Sequence, residues 1–535
     1  MAPGHRGARV AKRLLAYARA PTGSRPPCHD AGACARQEGL PMTDLALGDR
    51  HSRPIDGLGK EAEMITVLLR VGSVTGKVNR QHMLVCLTNL TARLHGVVRA
   101  IQVDVEGDIS VVRPNGAGPI NAMEGVENLA TWANGGRISV LPEDGTADII
   151  VDLTGEGASG ADLYCWGAGW KAWIGHEPHR FGRGSDRQEC IGPYLAACLV
   201  AGELFKRAKG LRKGRFADDD AYSLWDGSAG RWDDLDDGPN LVGSHLRPLY
   251  LIGAGAVGQG FIQILGASEL ADTFVVSVDH DHHDKEGTNL NRCFLAGIAD
   301  IGHLKTDAVA RYRALSGLGG MEHAGTLRGY IKGLRLGLHP QLAEAEANDE
   351  FDLVISAVDI DTSRQDIQGL HPRIVMGGST DSLRAQSVTY GLVEGTECLG
   401  CWNVPNDYVA SAAEREAALR AMSEADRRRE LAGHVDDLDA AMAFLASKQP
   451  KCGQIGERDV KSFVGRIAPE FSVSFVSMTA AILTAAGLFR VVSGETELRS
   501  PKTVFQFKNL SMTETATPRR DGCPYCSGKQ NPRGR

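Results

Sequence analysis

A glycine-rich loop constrains the fold of this chain more than any other feature of its sequence. The loop reads Gly253-Ala-Gly255-Ala-Val-Gly258 and directly follows the apolar run Leu249–Ile252. Glycines at these positions let backbone N–H groups and a helix N-terminus approach a phosphate without interference from Cβ atoms. The loop therefore predicts a strand–loop–helix unit that binds a nucleotide, but it does not decide which nucleotide.

The segments after the loop alternate between strand-like and helix-like patterns. Predicted strands cover Thr273–Val278, Asp352–Val358 and Arg373–Gly377, and a predicted helix covers Lys305–Leu315. Alternation of this kind is typical of an α/β fold with a doubly wound, Rossmann-like sheet.

The amino-terminal half carries a weaker form of the same pattern. A strand is predicted at Met64–Val71, an amphipathic helix at Arg80–His95 and a second helix at Gly192–Lys206. No G-x-G-x-x-G motif follows the first strand, so we expect a degenerate α/β domain without a nucleotide loop. The two halves are candidates for distant copies of one unit. The alternative is an unrelated α/β domain that recruits a substrate.

The length of 535 residues predicts two to four domains, because one hydrophobic core rarely grows so large. Arginines and prolines near the start predict a disordered leader, and Met42 is an alternative start of the protein. The predicted boundaries are a leader at 1–59, a degenerate α/β domain at 60–215, an acidic linker at 216–243 and an active domain at 244–535, with a helical insertion at 406–448.

Composition excludes several classes of protein. The chain is 42% hydrophobic and 23% charged, with a net charge of -7, which gives no basic footprint for nucleic acid or an acidic membrane. The apolar stretch Phe471–Val492 contains five Ser or Thr residues and predicts a buried helix, not a membrane span. Twelve cysteines in a chain this long indicate a reducing, cytoplasmic location and not a disulfide framework.

Charged residues beyond the loop favour ATP over a dinucleotide. Asp279 follows Gly258 by 21 residues and ends a predicted strand, where a carboxylate binds ribose hydroxyls in both nucleotide classes. Arg292 and Lys305 come next, and such cations stabilise the charge that develops when a carboxylate attacks an α-phosphate. Asp359 lies just past a strand, at the sheet edge where a metal-bound triphosphate is expected.

The order of these motifs resembles the ThiF/MoeB/HesA family, to which the ubiquitin-activating enzymes belong. The family run of G-x-G-x-x-G, D-x-D, N-L-x-R, G-x-x-K and D-x-x-x-x-R is matched, after the glycine loop, by Asp279–Asp281, Asn289–Arg292, Gly302–Lys305 and Asp359–Arg364. The likeness covers about Leu249 to Cys526. One departure is the stretch His282–Thr288, which is two residues longer than the family spacing.

The resemblance implies an ATP site with assigned roles. Asp279 would hold the ribose, Arg292 and Lys305 would bind the triphosphate and serve catalysis, and Asp359 would hold Mg²⁺. Asp281 and Asn289 join the same nucleotide-binding set. The implied reaction is adenylation of the carboxyl-terminal glycine of a ubiquitin-like or sulfur-carrier protein.

Two C-x-x-C pairs, Cys398/Cys401 and Cys523/Cys526, have the spacing with which thiolates grip tetrahedral Zn²⁺. The 121-residue gap between them is wider than in a zinc ribbon, so spacing alone leaves open two unrelated turns or a redox pair. The family resemblance implies one shared, structural zinc site.

The resemblance also implies a catalytic cysteine and an arginine supplied by the partner half. Cys452 lies between the two pairs in a glycine-flanked loop and would capture the substrate as a thioester, with Lys451 favouring the thiolate. A structural free cysteine is the alternative. Cys293 is expected to pack under the nucleotide site. Arg80 is the candidate arginine, and the alternative is an ordinary arginine at a helix start.

The expected partners are the carrier protein and a ubiquitin-conjugating-type enzyme, with the insertion Ala410–Ser447 as a docking surface for one of them. A homodimer stays open. Three other interpretations remain: an NAD-dependent oxidoreductase, a sulfur-carrier adenylyltransferase without conjugation, and a non-catalytic regulatory subunit. Retention of Arg292, Lys305 and Asp359 argues against the first and the third.

Overall fold

The fold is taken from a computed structural model of the chain. It describes residues 63–182, 189–211, 216–241, 248–268, 273–285, 287–336, 353–391, 395–403, 415–432, 437–447, 471–494 and 501–526, with a few single residues between these ranges. The predicted leader lies outside the described residues.

The amino-terminal half forms one mixed sheet. Its strands run β10-β9-β8-β7-β6-β1-β2-β5 across the sheet. They are β1 (Ile65–Ser73), β2 (Val98–Glu106), β5 (Ser139–Pro142), β6 (Ile149–Asp152), β7 (Leu163–Ala168), β8 (Lys171–Gly175), β9 (Asp220–Ser223) and β10 (Ala229–Gly230). A separate pair consists of β3 (Asp108–Ile109) and β4 (Ile120–Asn121).

The carboxyl-terminal half forms a second sheet, in the order β13-β12-β11-β14-β15-β16-β17-β18. Its strands are β11 (Leu249–Ile252), β12 (Phe274–Asp279), β13 (Gly319–Ala324), β14 (Leu353–Ser356), β15 (Ile374–Asp381), β16 (Arg384–Tyr390), β17 (Lys502–Gln506) and β18 (Ser511–Thr515). The strands from β13 to β15 are parallel, and the remaining pairs are antiparallel. This confirms the α/β, Rossmann-like fold class.

The two sheets have the same topology. In each half the first strand lies beside the second and the fourth, and the later strands add outward one after another. The switch from parallel to antiparallel pairing also falls at the same strand, between β7 and β8 in one sheet and between β15 and β16 in the other. The degenerate half is therefore built on the same plan as the half that carries the glycine loop.

Helices connect the strands and fill the space around the sheets. They are α1 (Val78–Thr91), α2 (Ala122–Asn134), α3 (Ile191–Ala208), α4 (Ala256–Ala267), α5 (Lys305–Ser316), α6 (Leu327–Arg335), α7 (Asp361–Gly369), α8 (Glu424–Leu431), α9 (Leu438–Ala446) and α10 (Ser474–Val492).

One hydrophobic core joins the halves. Helices α3 and α10 pack on each other, and they also pack on α1 and α4, respectively. The buried cluster contains large side chains of both halves, among them Trp170, Tyr194, Phe261 and Phe475. Gly202 on α3 permits this close packing, because a Cβ there would lie 2.5 Å from the ring of Phe507.

The helix α10 is long and apolar enough by composition to cross a membrane, with a mean hydropathy of 1.8. Within the protein, however, 89% of its most apolar stretch is buried, and it packs on α3, α4, β15 and β16. Its apolar character is thus explained by its place in the core.

The acidic segment predicted as a linker is partly built into the first sheet. Strands β9 and β10 lie in this segment, with Tyr222 and Leu224 buried. The aspartates misled the prediction because most of them, such as Asp218 and Asp233, are exposed on the loops around these strands. Within the predicted insertion, α8 and α9 pack around a small apolar cluster of their own that includes Leu431 and Phe444.

His82 on α1 is a buried titratable group in the shared core. The side chain is only 2% exposed, its ring meets that of Tyr194 edge-on at 5.7 Å, and its Nδ1 has no hydrogen-bond partner among the described residues. Burial lowers the pKa of His82 to about 4 from its ordinary 6.5. The folded protein therefore holds this imidazole neutral at pH values where the unfolded chain protonates it.

We predict that this group makes the protein less stable in mild acid. Between pH 6.5 and about 4 the unfolded state binds a proton that the folded state does not, so the free energy of unfolding falls by up to about 3 kcal/mol. Urea unfolding at pH 7 and pH 4.5 should show a smaller loss of stability for His82→Gln than for the wild type. The exposed His303→Gln variant serves as the control, and an unchanged pH dependence in His82→Gln would contradict the prediction.

Candidate functional site

A cavity of about 900 Å³ lies at the carboxyl ends of β11, β12 and β14. The carboxyl ends of parallel strands around a reversal of strand order are the usual ligand site of such sheets. Most of the predicted nucleotide-binding residues line this cavity, namely Gly253, Gly255, Asp279, Asp281, Asn289, Arg292, Lys305 and Asp359.

The three glycines of the motif at β11 and α4 differ in how much space surrounds them. Gly253 has a positive φ of 99°, and a Cβ there would lie 2.6 Å from the carbonyl oxygen of Ala357. Gly258 lies beneath the loop, and its Cβ would approach the carbonyl oxygen of Gly253 to 2.1 Å. Gly255 faces open space, so its backbone is accessible from the cavity at the start of α4. This is the surface that a phosphate can approach.

Asp279 ends β12 and is fixed by two backbone donors. Its Oδ2 accepts a hydrogen bond from the N–H of Ala254 at 2.5 Å, and its Oδ1 accepts one from the N–H of Asp281 at 2.8 Å. The side chain is 9% exposed and borders the cavity. The carboxylate is therefore oriented before any ligand binds, with further lone pairs available to hydroxyl donors.

Lys305 begins α5 and lies between two carboxylates. Its Nζ is 2.8 Å from Oδ2 of Asp281, and its N–H donates to the carbonyl of Asp281 at 2.9 Å. Burial lowers the pKa of Lys305, but the charges of Asp279 and Asp281 outweigh burial and leave the pKa raised. The ammonium group thus remains positively charged at the wall of the cavity.

Arg292 is held by the short helical turn that precedes it. Its guanidinium donates to the carbonyl of Thr288 at 2.9 Å, to Oδ1 of Asn291 at 3.0 Å and to Oδ1 of Asn289 at 2.9 Å. Asn289 also lines the cavity. Its side-chain oxygen is the atom that accepts the bond from Arg292. The stretch His282–Thr288, which is longer than the family spacing, is stabilised by a hydrogen bond from the N–H of Thr288 to Oδ1 of Asp284 at 2.6 Å.

Asp359 follows β14 and is exposed at the cavity, without a hydrogen bond or ion pair to any described residue. Arg364 holds the loop around it. Its guanidinium donates to the carbonyl of Val358 at 3.2 Å, to Asp361 at 3.2 Å and to Asn403 at 2.7 Å. A single exposed carboxylate with no protein partner can serve as one oxygen ligand of a divalent cation.

The four cysteines of the two C-x-x-C pairs come together beyond β16 and β18. Their sulfur atoms all lie within 4.8 Å of one another, with Cys398 to Cys523 at 3.7 Å and Cys401 to Cys526 at 3.4 Å. A tetrahedron with 2.3 Å zinc–sulfur bonds has sulfur–sulfur edges of about 3.8 Å. The cluster can hold a tetrahedral metal ion, although the pairs are far apart in sequence.

The cysteine cluster is connected to the cavity. The amide of Asn403 donates to the carbonyl of Leu399 at 2.7 Å and accepts from Arg364. Since Leu399 lies inside the first C-x-x-C pair and Arg364 lines the cavity, one hydrogen-bond chain joins the two features. Arg364 appeared in the sequence only as the end of a motif, and nothing in the sequence pairs it with Asn403.

Arg80 is not placed at this cavity. Its buried guanidinium donates to the carbonyls of Ser73 at 3.1 Å and Thr154 at 2.6 Å, and it pairs with Glu156. These partners lie at the carboxyl edge of the first sheet, so Arg80 serves its own half. Its predicted role as the arginine supplied to the ATP site is wrong, because its two terminal nitrogens bind groups of its own half and it does not line the cavity.

The sequence singled out two further cysteines, Cys293 and Cys452. Cys293 is buried beside the cavity, and burial raises the pKa of its thiol in spite of the cations Arg292 and Lys305. Cys452, the predicted nucleophile, and its neighbour Lys451 lie outside the described residues.

Sequence analysis missed parts of the cavity wall. Arg328 on α6 and Asp366 on α7 form a bidentate ion pair there, with distances of 3.0 and 2.7 Å. Gly378–Thr380 on β15 and Phe471 and Ser472 before α10 line another part of the wall. These segments meet through tertiary packing, and no spacing in the sequence relates them.

Substitutions in the glycine loop should separate its steric roles. Gly258→Ala is expected to destabilise the protein by about 2–4 kcal/mol, because the new Cβ meets a backbone oxygen that cannot move freely. Gly255→Ala should cost less than about 1 kcal/mol, since φ there is an ordinary -75° and the space is open. Chemical denaturation measures both variants, and equal losses would contradict the assignment.

One family profile agrees with this description of the site. The ThiF family profile matches residues 246–526. Solved structures similar to the chain include the microcin C7 biosynthetic enzyme MccB in complex with N-formylated MccA, at 16% identity and a TM-score of 0.33, with 52% of this chain and 67% of that chain covered. MccB of E. coli with ATP gives 15% identity, a TM-score of 0.33 and coverage of 52% and 66%.

Because these TM-scores are below 0.5, we draw nothing further from the solved structures. No curated protein sequence matches the chain. The family match, in contrast, covers more than half of the chain and spans all the motifs described above. The chain therefore belongs to the ThiF family.

Proposed function

We propose that this protein uses ATP to adenylate the carboxyl-terminal carboxylate of a peptide or small protein. The observation that carries the proposal is the arrangement around the cavity. An oriented carboxylate, two cations and a carboxylate without a partner among the described residues surround an accessible glycine loop. Nothing in this arrangement calls for hydride transfer, whereas the cations suit a ligand with several negative charges.

Each residue has a defined task in the proposed reaction. The loop at Gly255 and the start of α4 bind phosphate oxygens, and Asp279 accepts hydrogen bonds from the ribose hydroxyls. Lys305 and Arg292 offset the charge of the triphosphate. A carboxylate oxygen of the substrate attacks the α-phosphorus, the new O–P bond forms, and the bond to pyrophosphate breaks.

Asp359 is the residue that would hold Mg²⁺. Its carboxylate is exposed and has no described protein partner, and Mg²⁺ in nucleotide sites typically takes one or two carboxylates with phosphate oxygens and water. The ion would neutralise charge on the departing pyrophosphate.

We infer that the substrate has a flexible tail that ends in glycine, as in ubiquitin-like and sulfur-carrier proteins. The wall formed by Gly378–Thr380 carries only small side chains. Such a wall leaves room for an extended tail with small residues. In this proposal the Cys452 thiolate then attacks the acyl carbon of the adenylate, a thioester forms and AMP leaves, and the thioester is transferred to a conjugating enzyme.

The proposal predicts ATP–pyrophosphate exchange that depends on a glycine-tailed protein. Lys305→Ala and Asp359→Ala should each lower the exchange rate by about 100-fold or more, because each removes charge stabilisation at the reacting phosphates. The exposed Lys332→Ala variant on α6 is the matched control and should retain full activity. NADH oxidation without exchange, or exchange unaffected by both substitutions, would overturn the proposal.

A Cys452 variant separates thioester formation from the adenylation that precedes it. Cys452→Ala should retain exchange but lose an adduct that is sensitive to reductant on a non-reducing gel. Exchange without any adduct in the wild type would favour a sulfur-carrier adenylyltransferase that does not conjugate.

We also propose that Cys398, Cys401, Cys523 and Cys526 bind one structural Zn²⁺, since four thiolates leave no open position for water. The ion would join the segments after β16 and β18. It would thereby support the chain from Asn403 to Arg364.

Elemental analysis should find about one zinc per chain. Cys398→Ser should lose the metal and lower the unfolding midpoint by roughly 5–10 °C. Cys165→Ser, a change at a buried cysteine outside the cluster, is the control and should keep the metal. Purified protein free of zinc, or zinc retained by Cys398→Ser, would be evidence against the site.

A further inference from the structure

Arg93, just after α1 in the amino-terminal half, points into the carboxyl-terminal half. Its side chain is completely buried, at 0% exposure. The guanidinium donates to the carbonyls of Leu290 at 2.6 Å, Ala296 at 3.0 Å and Phe294 at 3.3 Å. One arginine thus crosses between the halves and binds three backbone carbonyls within seven residues of the other half.

The orientation of this arginine is itself fixed. Its Nε donates to Oδ1 of Asn89 at 2.9 Å, and the amide of Asn89 donates to the carbonyl of Phe294 at 3.2 Å. Trp132 on α2 lies between Arg93 and Arg311, at 5.6 and 5.8 Å from the guanidinium carbons. The amino-terminal half therefore presents a rigid, preformed set of donors.

The bound segment carries the nucleotide-binding residues. Leu290 lies between Asn289 and Arg292, both of which line the cavity, and the carbonyl of Leu290 is the acceptor with the shortest bond to Arg93. The backbone that positions the Arg292 guanidinium is thereby held from behind.

Arg93 forms no direct ion pair with a described residue, and the nearby carboxylate of Asp300 offsets only part of the effect of burial on its pKa. Among the described residues its acceptors are carbonyl and amide oxygens, and no carboxylate forms an ion pair with it. Burial lowers the pKa of Arg93 to about 10, so the group stays charged at neutral pH. A buried cation behind the loop favours negative charge in the cavity in front of it, since screening by water is weak there.

We propose that Arg93 is a positioning residue that fixes the segment Asn289–Arg292 and thereby raises the affinity of the site for the triphosphate of ATP. The proposal rests on the proposed function, because it takes the ligand to be ATP. It gives the degenerate half a role in nucleotide binding that requires no contact with the nucleotide.

Titration calorimetry with the non-hydrolysable analogue AMPCPP and with AMP tests this on the full chain. Arg93→Gln should weaken AMPCPP binding by about tenfold or more and AMP binding by less than about twofold, because the segment acts on the phosphates that AMP lacks. Arg93→Lys keeps the charge but not the three-carbonyl geometry, and it should recover only part of the loss. The matched control is Arg99→Gln, an exposed arginine of the same half.

If Arg93→Gln does not fold, Asn89→Ala decides, since it removes the bond that orients the guanidinium and leaves the charge in place. It should also weaken AMPCPP more than AMP. Equal weakening of both ligands, or no weakening, would overturn the positioning role while wild-type binding leaves the proposed function intact. A wild type that binds neither ligand would instead overturn the proposed function.

Discussion

The packing of α3 against α10 is the interaction on which the rest of the structure depends. Each helix lies on the sheet of its own half and buries its other face against the opposite half, so neither half has a complete core alone. Gly202 allows the ring of Phe507 to approach α3, and Lys206 donates to the carbonyl of Phe507 at 2.6 Å. Burial of this much apolar surface makes the two halves one folding unit.

The shared core explains how a half without a nucleotide loop can contribute to the site. The first sheet repeats the topology of the second, but Arg80 fills the carboxyl edge of its own sheet with bonds to Ser73 and Thr154. The amino-terminal half contributes a contact surface to the carboxyl-terminal half. This surface consists of Asn89 on α1, the following Arg93, and Trp132 on α2. These groups contact residues 290–297, the segment that contains Arg292.

A second set of contacts, around the cysteine cluster, supports another part of the cavity wall. The cysteine cluster brings the segment after β16 next to the segment after β18, and Asn403 links this cluster to Arg364 beside the Asp359 loop. A nucleotide site of this kind has few rigid walls of its own, because loops at strand ends carry most of its residues. Its geometry therefore depends on supports that lie outside it.

The sequence by itself determined the class of the fold, the family and eight candidate nucleotide-binding residues that line the cavity. Those features are local: a glycine loop after a strand, Asp279 at a strand end, and short motifs with fixed spacing around Arg292 and Lys305. Parallel strands bring such ends to one edge, so their meeting follows from the pattern alone. The acidic segment misled the prediction because charge at exposed positions hid the short strand β9.

Tertiary structure alone decided which distant groups meet. Arg93 and Leu290 are 197 residues apart, and Asn403 and Arg364 are 39 apart, with no periodicity to relate them. The same holds for Arg80, which the family resemblance suggested as an arginine supplied to the other half and which instead binds carbonyls of its own half. A side chain's long-range partner depends on how whole elements pack, and only the folded core of both halves fixes that packing.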